Sequence, residues 1–119
     1  VLAVTSADRL NAGWTAAPRE RARGNRQAIS HVERLMGDLP RHCRLLTVID
    51  GHPATLAWLG SVAGHATIPH GVEHFGQTGT IGDLYRHFGI DRDALIASAN
   101  GLTSGPRIHG ARTHDGCGR

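Results

Sequence analysis

A chain of 119 residues fits one small domain with a modest core and excludes two. An apolar fraction of 39% with 19% charged residues excludes wholesale disorder. No run approaches the roughly 18 apolar residues that a membrane-spanning helix needs. The formal charge is +3; all thirteen basic residues are Arg, and they are interspersed with the ten acids. Neither nucleic acid nor a membrane surface is therefore expected as a partner. Cys43 and Cys117 form no CxxC pair. They read as free thiols of a reducing, cytoplasmic compartment, with a single disulfide as the alternative.

Val1 to Val4 is already an apolar, β-type run with no turn residue before it. The expectation is a strand over residues 1–5, covered on both faces, in the C-terminal piece of a longer protein. Ser6 can cap a helix carrying Asp8 in its first turn, with Leu10 and Trp14 as its buried stripe. Residues 15–28 hold Pro18, Gly24 and Arg19, Arg21, Arg23 and Arg26, with almost no large apolar side chain. They predict a solvated loop, and no aromatics interleave with the arginines as single-strand binding would require.

Ser30-His31-Val32-Glu33 fits the S-x-x-E capping box. The helix it opens should bury Ile29, Val32, Leu35 and Met36 and stop near Gly37 and Pro40. Leu45 to Ile49 is the clearest strand. Asp50-Gly51-His52-Pro53 turns it into a helix over 53–63, with Pro53 at the first position, Leu56 and Leu59 inward, and Gly64 as a left-handed stop. Trp58 fits a core position or a contact with a neighbouring domain equally well. Ala66 to Pro69 reads as a third short strand at an edge. A helix through Phe88 follows, with Ile81, Leu84, Tyr85 and Phe88 at 3–4 spacing and Gly89 as its stop. Asp91 caps a last helix with Leu95 and Ile96. From residue 100 onward the Gly-rich, polar sequence predicts a flexible tail, so the domain is placed at 1–99 and the tail at 100–119.

Strands alternating with helices predict an α/β sheet, mostly parallel, with helices on both faces. Ligands of such sheets bind beyond the carboxyl ends of the strands. Three stretches should converge there: the one at Ser6, the one at His52, and the one at Gln77, Thr78 and Gly79. Each precedes a helix N-terminus, which favours an anion. The candidate anion or effector crevice is therefore Ser6, His52, Gln77, Thr78 and Gly79. The simpler alternative is ordinary helix capping, because G-x-x-G is weak and there is no P-loop Lys. His70, His74 and His87 raise a zinc reading, but HExxH is absent and the spacing is loose, so no metal site is expected. Ser6 or Cys43 with His52 and Asp50 could form a nucleophile–base pair, but G-x-S-x-G is absent.

Three pieces, VTSADRLNAGW, RLLTVIDGHPATLAWLG and IPHGVEHFGQTGTIGDLYRHFGIDRDALIASA, resemble the C-terminal domain of the transketolase superfamily. The nearest resemblance is to homodimeric-type pyruvate dehydrogenase, the thiamine diphosphate-dependent first component of the 2-oxo acid dehydrogenase complex. It rests on Val4-Thr5-Ser6, on Gly71-Val72 with Phe75-Gly76, and on Leu84 to Asp91. It covers residues 1 to about 99; F-G-x-(S/T)-(G/A) followed by L-(Y/F)-x-x-F-G-(I/L) is moderately specific as an ordered pair. Transketolase shares the same ending, so a ketol transferase of sugar phosphates is the alternative parent.

The resemblance implies a three-layer α/β/α domain, here without its first strand and helix. It implies that thiamine diphosphate and magnesium belong to the parent's other domains. This chain would contribute no catalytic and no cofactor-binding residue. Its partners would be the parent's pyrimidine-binding domain, the twin subunit of a homodimer and, through the parent, a lipoyl acyltransferase.

Overall fold

The computed structural model describes residues 1–104. Its centre is a βαβ unit. β1 (Leu45–Val48) and β2 (Thr67–His70) lie parallel, with Leu45 opposite Thr67 and Val48 opposite His70. Two short helices, α3 (Ala54–Ala57) and α4 (Gly60–Ala63), connect them. Before this unit come α1 (Ala7–Ala22) and α2 (His31–Gly37); after it come α5 (Ile81–His87) and α6 (Arg92–Ser104). The fold is mixed α/β.

The core is small. Val32 and Met36 from α2, Leu56 from α3 and Leu59 just after it are buried together. Val4, Leu10, Trp14, Leu45, Ile49 and Trp58 pack around them, half-buried. Leu45 and Ile49 thus face the core, and the period of two sends Leu46 and Val48 to the opposite side of the strand. On that side Leu46 shares a cavity with Ala99 and Leu102 of α6.

Several sequence expectations are corrected. Residues 1–5 form no strand. A strand needs a ladder partner, and an apolar cavity of about 470 Å³ separates Val1, Leu2 and Val4 from Leu45–Ile49. Residues 15–22, expected as loop, continue α1 through Pro18. The ring removes one backbone donor, but the flanking Ala, Arg and Glu are strong helix formers and Ala17 is buried. The loop begins only at Gly24, whose φ of 103° needs no Cβ penalty.

The single helix expected over 53–63 is two pieces. Between them Leu59 N–H bonds Leu56 O (3.1 Å) and Ser61 N–H bonds Trp58 O (2.9 Å), so the turn tightens to i→i−3 pairing. Ile29 and Leu35, expected to be buried by α2, stay exposed. Ile81 and Tyr85 of α5 are exposed as well.

Other expectations hold in detail. Ser30 and Glu33 form both halves of the capping box: Glu33 N–H donates to Ser30 Oγ, and Ser30 N–H donates to Glu33 Oε2 at 2.6 Å. Gly64 and Gly89 take positive φ at the stops of α4 and α5. Asp91 Oδ1 accepts from Ala94 N–H (2.8 Å) at the start of α6. That helix includes residues 100–104; the remainder of the expected tail, Cys117 and the disulfide alternative lie outside the described residues. Among the described residues no helix is long and apolar enough to cross a membrane.

Candidate functional site

The carboxyl ends of β1 and β2 lie side by side because the strands are parallel and in register. Their exit loops are tied together. Val72 N–H donates to Gly51 O at 2.7 Å. Gly71 is buried at this crossing, and a Cβ there would collide with the Gly51 carbonyl and with Pro53. Only glycine fits where one strand's exit passes over the other's.

Within this frame the five crevice residues do not share one cavity. Ser6 lines a cavity of about 340 Å³ beside Leu2, Arg9, Leu10 and His31. Gln77 lines another, of about 330 Å³, with Asp50, Phe75, Ile81 and Tyr85. His52, Thr78 and Gly79 line neither. Gln77, Thr78 and Gly79 are exposed.

The local hydrogen bonds show why. The Ser6 hydroxyl donates to Asp8 Oδ1 (2.7 Å) and makes no bond to a backbone N–H of α1. That bond, followed by the backbone N–H of Arg9, holds the Asp8 carboxyl below the usual carboxylate range. The N-terminus of α1 therefore already faces a carboxylate of its own chain. His52 Nδ1 accepts from Ala54 N–H at 3.2 Å, which spends that ring nitrogen on the start of α3. The Ser6 hydroxyl and His52 Nδ1 thus each bond a group other than the other. Nearby, His65 Nδ1 lies 3.0 Å from the Cys43 backbone carbonyl, a contact that leaves the thiol out.

Thr80 caps α5. Its Oγ1 accepts from Asp83 N–H (3.3 Å) and donates to Asp83 Oδ2 (2.6 Å). The signal was present in the sequence as T-x-x-D, the same spacing that marks Ser30 and Glu33. Sequence reading missed it by giving weight to the glycines instead.

His70, His74 and His87 border one small cavity, with Glu73. His70 Nδ1 lies 3.0 Å from Gly89 O. Among the described residues no three His, Cys, Asp or Glu side chains group as metal ligands. The arginine cluster is partly structural. Arg21 donates to Ala28 O at 2.7 Å and pairs with Glu33 at 3.2 Å, while Arg23 pairs with Glu20 at 2.9 Å.

What the strand-end region does present is apolar. Phe75 is 93% exposed and Ile81 71% exposed, with Tyr85 beside them at the same cavity. Isolated exposed side chains are ordinary; here three large ones rim one concavity. Comparison with known proteins yields no match, whether with protein-family models, curated proteins or solved structures. The sequence motifs therefore carry the family reading alone.

Proposed function

We propose that this chain is the C-terminal domain of a thiamine diphosphate-dependent 2-oxo acid dehydrogenase of the transketolase superfamily, most like the homodimeric-type pyruvate dehydrogenase. Its role is packing and support of the dimer, without catalysis of its own. The observation that carries the reading is the ordered pair of motifs, Phe75-Gly76-Gln77-Thr78-Gly79 followed by Leu84-Tyr85-Arg86-His87-Phe88-Gly89-Ile90.

The structure is compatible in coarse terms. The motif-bearing residues follow a parallel strand and run into a helix, as an α/β domain requires. Helices lie on both sides of β1, with Leu45 and Ile49 toward the core and Leu46 toward α6. A complete three-layer sheet needs more strands than the two described, and under this reading the parent supplies them.

The rim of Phe75, Ile81 and Tyr85 is, on this account, the face that meets the pyrimidine-binding domain or the twin subunit. In the parent, thiamine diphosphate supplies the carbanion chemistry that removes carbon dioxide from the 2-oxo acid. Under this reading the cofactor and its magnesium belong to the parent's other domains, and no residue of this chain is assigned to them. A cytoplasmic location belongs to the same proposal, as does delivery of the acyl group to a lipoyl acyltransferase by the parent. Reading the coding sequence upstream of Val1 tests it. Pyrophosphate- and pyrimidine-binding domains in the same frame are the expected result. An unrelated upstream sequence would overturn it.

A further inference from the structure

The cavity of about 330 Å³ at the strand exits combines aromatic rings with a carboxylate. Ile81, Tyr85 and Phe88 line it at helical spacing along α5 and its last turn, so they share a face. Phe75, from the loop after β2, and Asp50, at the exit of β1, line it as well. The ring contacts of the described residues are Trp14 with Trp58 and Phe88 with His87. Phe75 and Tyr85 therefore keep ring faces that no aromatic neighbour covers.

Asp50 is the one Asp, Glu, Lys or Arg among the lining residues; His74, Gln77 and Tyr85 are the other polar side chains there. Three other carboxylates pair with arginine: Glu33 with Arg21, Glu20 with Arg23 and Asp83 with Arg86. Among the described residues no such pair engages Asp50. An aromatic ring is negative over its faces, so Phe75, Tyr85 and Phe88 add to the field of the carboxylate. A void bounded in this way attracts a cation with an apolar stem and repels an anion.

We infer that this cavity is an organic-cation site whose occupant is an arginine side chain on the protein surface that covers the Phe75 rim. A guanidinium suits it better than an ammonium: it is planar, stacks on ring faces and is weakly hydrated, while its carbon stem lies along Ile81. All thirteen basic residues of this chain are Arg, so a covering surface made by the same protein offers guanidinium groups. The occupant rests on the reading that this rim meets another domain or subunit; the cation preference rests on the cavity alone.

Nuclear magnetic resonance titration of the full 119-residue chain with acetyl-Gly-Arg-Gly-amide tests it, beside the citrulline peptide, the neutral isostere of the same shape. The arginine peptide is expected to give saturable shifts at Asp50, Phe75 and Tyr85 at millimolar concentration, and the citrulline peptide to bind at least about threefold more weakly. Asp50→Asn removes the charge, and Phe75→Leu removes a ring while keeping apolar bulk; both positions are exposed. Each variant is expected to weaken the arginine peptide by about threefold, and Asp50→Asn to leave the citrulline peptide unchanged. No saturable shift at these residues, equal binding of the two peptides, or indifference to both variants would overturn the inference. Tighter binding of free tetramethylammonium than of the arginine peptide would overturn the choice of occupant. An unrelated sequence upstream of Val1 would instead remove the parent reading and leave arginine-peptide binding to the isolated chain as expected.

Discussion

Trp14 of α1 stacks on Trp58, the residue that ends α3, with ring centroids 5.1 Å apart and planes inclined by 24°. The offset, nearly parallel arrangement is one that aromatic quadrupoles favour. It joins the N-terminal helix to the βαβ unit at the margin of a core whose buried apolar cluster is four residues. Trp58 Nε1 also donates to Thr55 O at 2.9 Å, so the ring is held by a hydrogen bond as well as by its neighbour. Trp58 is thus an internal contact of this chain.

Because the core is so small, this pair should weigh heavily on stability. Trp14→Ala and Trp58→Ala are each expected to cost about 2–4 kcal/mol in urea unfolding. Their double-mutant cycle should give a coupling of about 1 kcal/mol. Additive losses would show that the stacking contributes nothing beyond buried area.

Two glycines should respond in opposite directions. Gly71→Ala drives a methyl group into the Gly51 carbonyl and Pro53 where the exit loops cross, and is expected to cost about 2–3 kcal/mol. Gly13 lies inside α1 with open space around its missing Cβ, and Gly13→Ala should gain about 0.5–1 kcal/mol. Thermal melts of the two variants, run beside the wild type, check the pair.

The capping box gives a pH signature. The backbone N–H of Ser30 is the largest influence holding the Glu33 carboxyl below its ordinary range; burial opposes it, and the Ser30 hydroxyl and Arg21 each add a smaller lowering. A carboxyl lowered by folding stabilises the native state above its unfolded pKa, and this contribution fades as pH falls through the folded value. Glu33→Gln keeps the geometry of the box and removes the titration. The stability gap between wild type and Glu33→Gln should therefore be constant near neutrality and shrink on acidification. Glu33→Ala, which loses the cap as well, is expected to cost about 1–2 kcal/mol at pH 7. Urea midpoints from pH 7 down to pH 3 provide the comparison.

Local chemistry was legible in the sequence at several boundaries that one side chain decides, though not at Thr80 or Ser6. Ser30 with Glu33, Gly64, Gly89 and Asp91 all stand where their capping chemistry puts them. β1 and β2 were readable as apolar runs between turn residues. Tertiary context decided the rest. Pro18 looked like a helix breaker, yet neighbouring propensity and one buried alanine carry α1 past it. Val1 to Val4 had strand composition but meet no ladder partner, and composition cannot supply one. The crevice was inferred from the rule that strand ends gather ligands. Ser6, His52 and the Gln77–Gly79 turn follow that rule in sequence, but hydrogen bonds within the chain occupy Ser6 and His52, and separate cavities divide Ser6 from Gln77.

The central claim is that the reactive machinery resides in other domains of the parent. Titration calorimetry of thiamine diphosphate with magnesium into the isolated 119-residue chain tests this most directly. No saturable heat at micromolar concentrations is the result predicted. A stoichiometric, micromolar binding isotherm would contradict it.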